Sequence, residues 1–405
     1  MIHRTSDDEV ELRHALFHQL GLIYRDRIGN ADGALDAFRA AGALKPSDEN
    51  RKIVSELYVV AGRIDDALRE TRAALEAEPS SVGLYTTLYD LFLRSRTFDK
   101  AWCAINVLAH MGTLSTEQRK FHDDYPPVAL SYVPGMITPV AWRSHILHKE
   151  LDPTLTAIFS VMAQATARAR AAMIPPAQRA TAFGEPMRPD HSYNAGALLD
   201  AVTHAAAILS VPVPSVFARR GPPQPLAIAA SSVPALVSSC EALDSMSHEA
   251  IAFLVGKRLA DLRPELFGRA MFPTVSEMTA ALASAVRIVK GEMSPDPAIA
   301  RADRELATLM SPDERATLQG AVMRATSTNA RLDVKQWSRL ADLTSSRVGL
   351  LLCGHVEYAR RAMLQDGQSA CDLPPRARVQ QMCLFAVSNE FAELRAAIGV
   401  DVAAT

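Results

Sequence analysis

The sequence predicts a mainly α-helical protein: an α-solenoid of short helical repeats, followed by an α+β domain with a small sheet. The first 120 residues repeat with a period of 33 to 34 residues, the length of a two-helix unit. A proline-rich stretch then precedes a helix, three short apolar runs and a second helix. We therefore place the repeats at 1–124, a linker and lead-in at 125–150, and the second domain at 151–405.

Length and composition narrow the class of partner. A chain of 405 residues is long enough for two or three domains with their own cores. The formal charge of −2, from 43 basic and 45 acidic residues, gives no electrostatic reason to expect nucleic acid as a partner. The N-terminus has no apolar signal region, and the most apolar later run, 198–213, is interrupted by ionisable residues and a proline. We therefore expect no membrane insertion.

The cysteines are odd in number and scattered, and no two of them form a CxxC pair. A disulfide framework normally uses an even number of cysteines, so this pattern favours reduced thiols and a cytoplasmic location. The five residues are Cys103, Cys240, Cys353, Cys371 and Cys383.

Each predicted repeat combines small residues, which let paired helices approach, with large residues that fill the space to the next pair. The first copy carries one extra residue between its helices, and Thr113 stands where a proline would close the third copy. The pattern is carried by Phe17, Leu20, Gly21, Tyr24, Ala34, Phe38, Ala41 and Pro46, then Val54, Tyr58, Ala67, Ala74 and Pro79, then Tyr85, Leu88, Phe92, Ala101 and Leu108. It resembles the tetratricopeptide (TPR) repeat.

This resemblance implies a concave groove, lined by the first helix of each repeat, that binds a protein or peptide partner. The groove is mixed in charge and lacks the basic and asparagine pattern with which some TPR domains hold a carboxylate tail. The alternative is that these are solvated helix residues and that the stack is a spacer. The candidate groove residues are His18, Arg25, Asp26, Glu56, Asp90 and Arg94.

Apolar periodicity in the second domain predicts helices at about 152–173, 196–208, 273–289, 297–325 and 376–398. Gly184–Pro189 is typical of a loop, and 209–219, 225–230 and 234–239 are the three short strands. Ser247 and Glu249 begin the next helix as its cap and first-turn acid.

The order of elements and the segments SVPVPSVFAR, LAIAASSVPALVSSCEAL and MSHEAIAFLVGKRLADL resemble gluzincin zinc peptidases of the HtpX and CaaX prenyl protease class. In that class, HExxH supplies two zinc histidines and a general base. The resemblance places Lys257 and Asp261 at the histidines and Arg258 at the glutamate. Because an ammonium and a guanidinium offer no lone pair, this helix face repels a metal ion.

A second segment, DLTSSRVGLLLCGHVEYA at 342–359, resembles the later helix that supplies the third zinc ligand in some soluble members of the class. Here Asp342 replaces the ligand glutamate and Ser346 replaces an aspartate. We expect charged side chains to fill the former metal site, with Lys257 paired to Asp261 within the helix and Asp342 neutralising Arg258.

The sequence therefore predicts an interaction or scaffold protein: TPR repeats joined to a catalytically inactive, zinc-free domain without cofactors. Peptide binding along a sheet edge at Ala227–Ala230 would suit such a pseudoenzyme. One alternative is an active zinc metallopeptidase with non-standard ligands, and another is a purely structural domain. Three further kinds of site each lack a correctly spaced partner. They are a shifted active pair at His248–Glu249, a nucleophile at Cys353–His355, and metal sites at His14–His18 or His145–His148.

Overall fold

A computed structural model of the chain describes residues 9–126, 128–175, 178, 182–219, 225–229, 233, 235–327, 332–366 and 372–402. The predictions for Cys371, Ala230 and Pro234 lie outside these residues. The chain divides into two compact units, Met1–Pro126 with Val402–Thr405 and Pro127–Asp401. Most of the predicted linker, 125–150, therefore belongs to the second unit.

The described residues form twenty α-helices and four short strands, which confirms a mainly α fold with a small sheet. No helix in these ranges has the length and apolar character needed to cross a membrane.

The first unit contains seven α-helices, each packed against the next along the chain. The second helices of the three predicted repeats begin at Ala31, Ile64 and Phe98, which are 33 and 34 residues apart. The helices are α1 (Val10–Ile23), α2 (Ala31–Leu44), α3 (Asp48–Val60), α4 (Ile64–Ala77), α5 (Val82–Arg94), α6 (Phe98–Met111) and α7 (Thr116–Asp124).

Close packing in this unit depends on the small residues of the repeat. A Cβ added to Gly21 would lie 2.8 Å from the ring of Phe38, so glycine lets α1 and α2 approach. Phe38, Tyr85 and Phe92 are fully buried. The extra residue of the first copy is accommodated by a π-helical turn, Tyr24–Ile28, which follows α1 and ends at Gly29 with φ of 70°.

The second unit holds the remaining elements. Its helices are α8 (Pro139–Ala141), α9 (Pro153–Met173), α10 (Ala195–Ile208), α11 (Cys240–Asp244), α12 (His248–Asp261), α13 (Phe267–Met271), α14 (Val275–Lys290), α15 (Pro297–Leu309), α16 (Pro312–Ser327), α17 (Val334–Cys353), α18 (Val356–Gln365), α19 (Pro375–Ala386) and α20 (Asn389–Ile398). Its strands are β1 (Glu185–Pro186), β2 (Ser215–Ala218), β3 (Ala227–Ile228) and β4 (Ala235–Ser238).

Three predictions for these elements are wrong. The helix expected at 297–325 is two helices, because Pro312 starts a new one and Ser311 shares a reciprocal capping pair with Glu314. The helix expected at 376–398 breaks before α20, where the Ser388 hydroxyl accepts from the Phe391 N–H at 3.1 Å. The loop expected at Gly184–Pro189 contains β1.

The sheet has the order β1-β2-β4-β3. β2 and β4 are parallel, with Val216 opposite Leu236, while β1 and β3 pair antiparallel to their neighbours. β3 therefore lies at one edge of the described sheet. Its residues Ala227 and Ile228 are half-buried.

Two glycines let α12 and α17 cross at short distance. A Cβ on Gly349 would lie 2.7 Å from the Phe253 ring, and one on Gly256 would lie 3.0 Å from the Val348 carbonyl oxygen. Both helices are almost completely buried along their length. The two sequence segments that resemble the halves of a peptidase site are thus packed directly against each other.

Candidate functional site

The five positions predicted at the former metal site lie on the two crossing helices. Lys257, Arg258 and Asp261 belong to α12, and Asp342 and Ser346 to α17. All five residues are buried, and the four charged side chains among them are each at most 4% exposed. Such groups are rarely buried unless they are paired, so the partners of each define the site.

Lys257 lies between two carboxylates. Its Nζ atom is 3.1 Å from Asp342 Oδ1 and 3.1 Å from Asp366 Oδ2, and the lysine side chain is fully buried. Asp366 directly follows α18, so the lysine joins the last turn of one helix to the middle of another. The predicted pair between Lys257 and Asp261 is wrong, because the ammonium bonds across helices instead of along its own.

Arg258 connects the site to the sheet. Its Nη2 pairs with Asp366, and its Nε donates to the Leu226 carbonyl oxygen at 3.0 Å, just before β3. The prediction that Asp342 neutralises Arg258 is also wrong. Asp342 instead accepts from Arg269 Nη1 at 2.6 Å and from Arg378 Nε at 3.0 Å.

Asp261 pairs mainly with Arg269, which donates to its two carboxylate oxygens at 3.2 and 2.5 Å. Arg269 also donates to Ser345 Oγ at 3.2 Å. The neighbouring Ser346 was the predicted position, but its hydroxyl is buried without a hydrogen-bond partner in the described ranges. Ser345, rather than Ser346, therefore participates in the network.

We call these seven side chains the charged cluster: Lys257, Arg258, Asp261, Arg269, Asp342, Asp366 and Arg378. It contains four cations and three carboxylates, so its formal charge is +1. Burial alone would raise the pKa of Asp342, but attraction by Lys257, Arg269 and Arg378 outweighs it and holds that pKa well below the usual range. The pKa of Asp366 is lowered in the same way, against its burial, by Arg258 and Lys257.

The pKa of Arg269 shifts in the opposite direction for the same reason. Burial would lower its pKa, but Asp261 and Asp342 outweigh that effect and raise the pKa above its ordinary value. The guanidinium is therefore charged at every physiological pH. Asp342 and Asp366 are therefore held as carboxylates beside the charged Arg269 near neutral pH.

Sequence reasoning missed Arg269, Asp366 and Arg378. Arg378 had a detectable signal, because it falls one turn before Met382 on the apolar stripe of the last helices, where an arginine is unexpected. Arg269 and Asp366 lie in short or terminal segments without strong periodicity. Their contribution depends on tertiary packing that spacing alone does not reveal.

The remaining candidate metal residues are not assembled into a site. Among the described residues, no group of three or more histidine, cysteine, aspartate or glutamate side chains is placed to hold a metal ion. His248 and Glu249 occupy the first turn of α12, where Ser247 caps the helix as predicted. They line a separate cavity of about 300 Å³ together with Asp200 and His204.

Cys353 and His355 do not form a nucleophile and base. The Cys353 thiol donates to the backbone carbonyl oxygen of His355 at 3.3 Å, at the end of α17. Burial raises the pKa of Cys353 to about 12, whereas a nucleophilic thiol requires a lowered pKa. The packing interpretation of this pair is therefore favoured.

The six candidate groove residues lie on three parts of the first unit: His18 on α1 with Arg25 and Asp26 on the π-helical turn after it, Glu56 on α3, and Asp90 and Arg94 on α5. Arg25 donates to Asp26 at 2.6 Å, and Glu56 on α3 lies close enough to attract the same guanidinium. His18 differs from the others because its ring packs edge-on against Phe38 of α2, with ring centres 5.3 Å apart. It contributes to packing between helices as well as to the surface.

On α5, Asp90 lies within electrostatic range of Lys52 of α3 and of Arg94. Both Asp90 and Arg94 are exposed. Charges of both signs therefore lie on the π-helical turn after α1, on α3 and on α5, while the groove itself stays a prediction.

Comparison of this chain with protein-family models, curated proteins and solved structures found no match.

Proposed function

We propose that this protein binds other proteins or peptides, using a TPR-type repeat unit and a zinc-free, peptidase-like unit. The position of Lys257 carries the proposal. Its ammonium lies 3.1 Å from two carboxylates, and the resemblance places this lysine where the first zinc-binding histidine would be. A metal ion there would have to displace a buried cation that is covalently part of the chain.

Arg258 supports the same conclusion. It occupies the position of the general base, but a guanidinium has no lone pair and stays charged throughout the physiological range. It therefore cannot activate water for peptide hydrolysis. Its bond to the Leu226 carbonyl oxygen gives it a structural role, because it fixes the chain where β3 begins.

The edge strand β3 offers a place for an extended peptide. Ala229 N–H donates to the Ala235 carbonyl oxygen at 2.9 Å, so the residues that bond to β4 are Ala229 and its alternate neighbour Ala227. Backbone groups alternate in direction along an antiparallel strand. The N–H and C=O of Ile228 therefore point away from β4, where a peptide strand could pair with them.

The test uses fluorescein-labelled casein, a largely unfolded chain, and measures its fluorescence anisotropy with the full-length protein. Ile228→Pro removes the outward N–H at a position where an edge strand tolerates proline. We expect it to weaken binding at least tenfold, while Ile228→Val, which keeps the N–H, binds like wild type. Equal binding by the proline variant, or no binding by wild type, would contradict peptide pairing at β3.

The repeat unit is tested in the same assay. Charge reversal of Arg25 and Arg94, both exposed on the groove surface, should alter binding of any partner held there. If this double variant and Ile228→Pro both bind casein as tightly as wild type, the binding function is contradicted.

A further inference from the structure

The second unit contains a cavity that neither of the proposed binding surfaces uses. Its volume of about 300 Å³ is at the lower end of the range that is typical of small-molecule sites. Four of its lining side chains are ionisable: Asp200 and His204 of α10, and His248 and Glu249 of α12. No lysine or arginine is found among the described residues that line it. With both imidazoles neutral, the two carboxylates give the lining a formal charge of −2.

The two helices bring their carboxylates to the same cavity. Helical spacing places Asp200 on the same face of α10 as the lining residues Ala197 and Ala201. On α12, the negative charge of Glu249 adds to the effect of burial, which raises the pKa of Cys353. Because Cys353 is also a lining residue, at the end of α17, Glu249 lies near the inner wall of the cavity.

The four ionisable side chains of the cavity are available to a ligand. None of them forms an ion pair or a side-chain hydrogen bond with a residue in the described ranges. The start of α12 offsets about half an elementary charge at Glu249, but its effect is confined to the first turn. Asp200 lies in the middle of α10, away from either helix end. Most of the negative charge is therefore uncompensated, and it favours a positively charged ligand.

The geometry and the walls decide which class of cation fits. A metal ion does not, because no three histidine, cysteine, aspartate or glutamate side chains in the described ranges are placed to hold one. Quaternary ammonium ligands are normally held in cages of aromatic rings. No phenylalanine, tyrosine or tryptophan is among the described lining residues, and seven of them are alanine, valine or leucine. Such walls suit a methylene chain, and two carboxylates on separate helices suit an ammonium at each end of it.

We propose that this cavity binds an aliphatic diamine, with one ammonium held by Asp200 and the other by Glu249. A primary ammonium has three donors, so each one bonds to its carboxylate and still has donors for the neutral imidazole of His204 or His248. The chain between the two ammonium groups packs on the aliphatic walls. The inference goes beyond the proposed function, since it uses neither the repeat groove nor β3.

The first experiment compares 1,5-diaminopentane with pentylamine, which has the same chain but only one ammonium. Binding to the full-length protein is measured by calorimetry at about pH 8, where ordinary imidazoles are neutral. We expect the diamine to bind about tenfold more tightly, because its second ammonium adds charge-assisted hydrogen bonds. Equal affinity for the two amines, or no binding of the diamine, would overturn the proposal.

The second experiment removes each carboxylate in turn. Asp200→Asn and Glu249→Gln should each lower the affinity for the diamine to that of wild type for pentylamine. Neither side chain has a partner in the described ranges, so both variants should keep the wild-type free energy of unfolding. Glu305→Gln is the control, because it removes one exposed negative charge on α15, which does not line the cavity. Wild-type affinity in both acid variants, or an equal loss in Glu305→Gln, would contradict binding by these two carboxylates.

The third experiment fills the cavity. Ala197 lines it, so Ala197→Phe should abolish the preference for the diamine over pentylamine. Ala207→Phe is the matched control, because Ala207 is exposed on the same helix and does not line the cavity. Loss of the preference only in Ala197→Phe supports the location, whereas an unchanged preference in that variant overturns it.

Discussion

The Lys257 ammonium lies 3.1 Å from a carboxylate oxygen of Asp342, and both side chains are completely buried. The two residues come from the separate sequence segments that resemble the halves of a zinc site. Asp342 also binds Arg269 and Arg378, so it is the carboxylate with the most cationic partners in the charged cluster. This asymmetry makes definite predictions about stability.

Asp342→Asn should destabilise the protein far more than Lys257→Met. Losing the aspartate leaves four cations with two carboxylates, whereas losing the lysine leaves three of each. Removing one partner of a buried ion pair typically costs about 3–5 kcal/mol, and we expect Asp342→Asn to fall in that range. Urea unfolding measures the free energy of unfolding.

Asp190→Asn serves as the control, because Asp190 forms an exposed ion pair with Arg188 and should be replaceable without a measurable change. Equal destabilisation by Lys257→Met and Asp342→Asn would show that the excess positive charge of the cluster has no energetic effect.

The charged cluster should make stability fall with acid. The pKa values of Asp342 and Asp366 are lowered from the ordinary 3.8, so the unfolded chain takes up protons at a pH where the folded chain does not. Their contribution is fully present above the unfolded pKa and is lost as the pH falls through the folded values. Unfolding measured between about pH 6 and pH 2 should therefore show a shallower decline in Asp342→Asn than in wild type. Parallel curves for the two proteins would contradict this assignment.

The crossing of α12 and α17 should tolerate no added methyl group at Gly349. Gly349→Ala places a Cβ 2.7 Å from the Phe253 ring and 2.8 Å from its carbonyl oxygen, so we expect a loss of about 1–3 kcal/mol. Gly320→Ala on α16 is the matched control. Its Cβ would meet only the end of Arg324 at 3.5 Å, so the exchange should stabilise by about 0.5–1 kcal/mol. If thermal unfolding shows that both variants gain stability, or that both lose it, the close approach of α12 and α17 at Gly349 is contradicted.

How much of this arrangement was predictable depends on how local each feature is. The positions of the helices in the first unit and the capped start of α12 follow from periodicity and spacing, whereas 342–359 is indicated by its resemblance to a peptidase helix. The partners of Lys257 do not follow from spacing, because helix spacing places Asp261 near it but says nothing about Asp366, which folding brings in from the end of α18. The break before α20 has a local cause. The apolar stripe continues through Ser388 and so predicts one helix, but the Ser388 side chain caps a new helix there.

Thiol labelling should separate the cysteines by burial. The pKa values of Cys353 and Cys383 are both raised to about 12 by burial, so neither forms appreciable thiolate near neutral pH. Cys240 is only partly buried. Iodoacetamide at neutral pH should modify Cys240 before Cys353 and Cys383, which should react only after denaturation, as read by peptide mass mapping. Fast native labelling of Cys353 would indicate an activated thiol and contradict its packing role.

The most direct measurement is elemental analysis of full-length protein purified without chelator, combined with a peptidase assay before and after chelation. Since Lys257 already lies between Asp342 and Asp366, we expect zinc well below one ion per chain, and no proteolysis that chelation removes. Zinc near one ion per chain, lost together with proteolysis on chelation, would contradict the proposal and identify an active metallopeptidase with non-standard ligands.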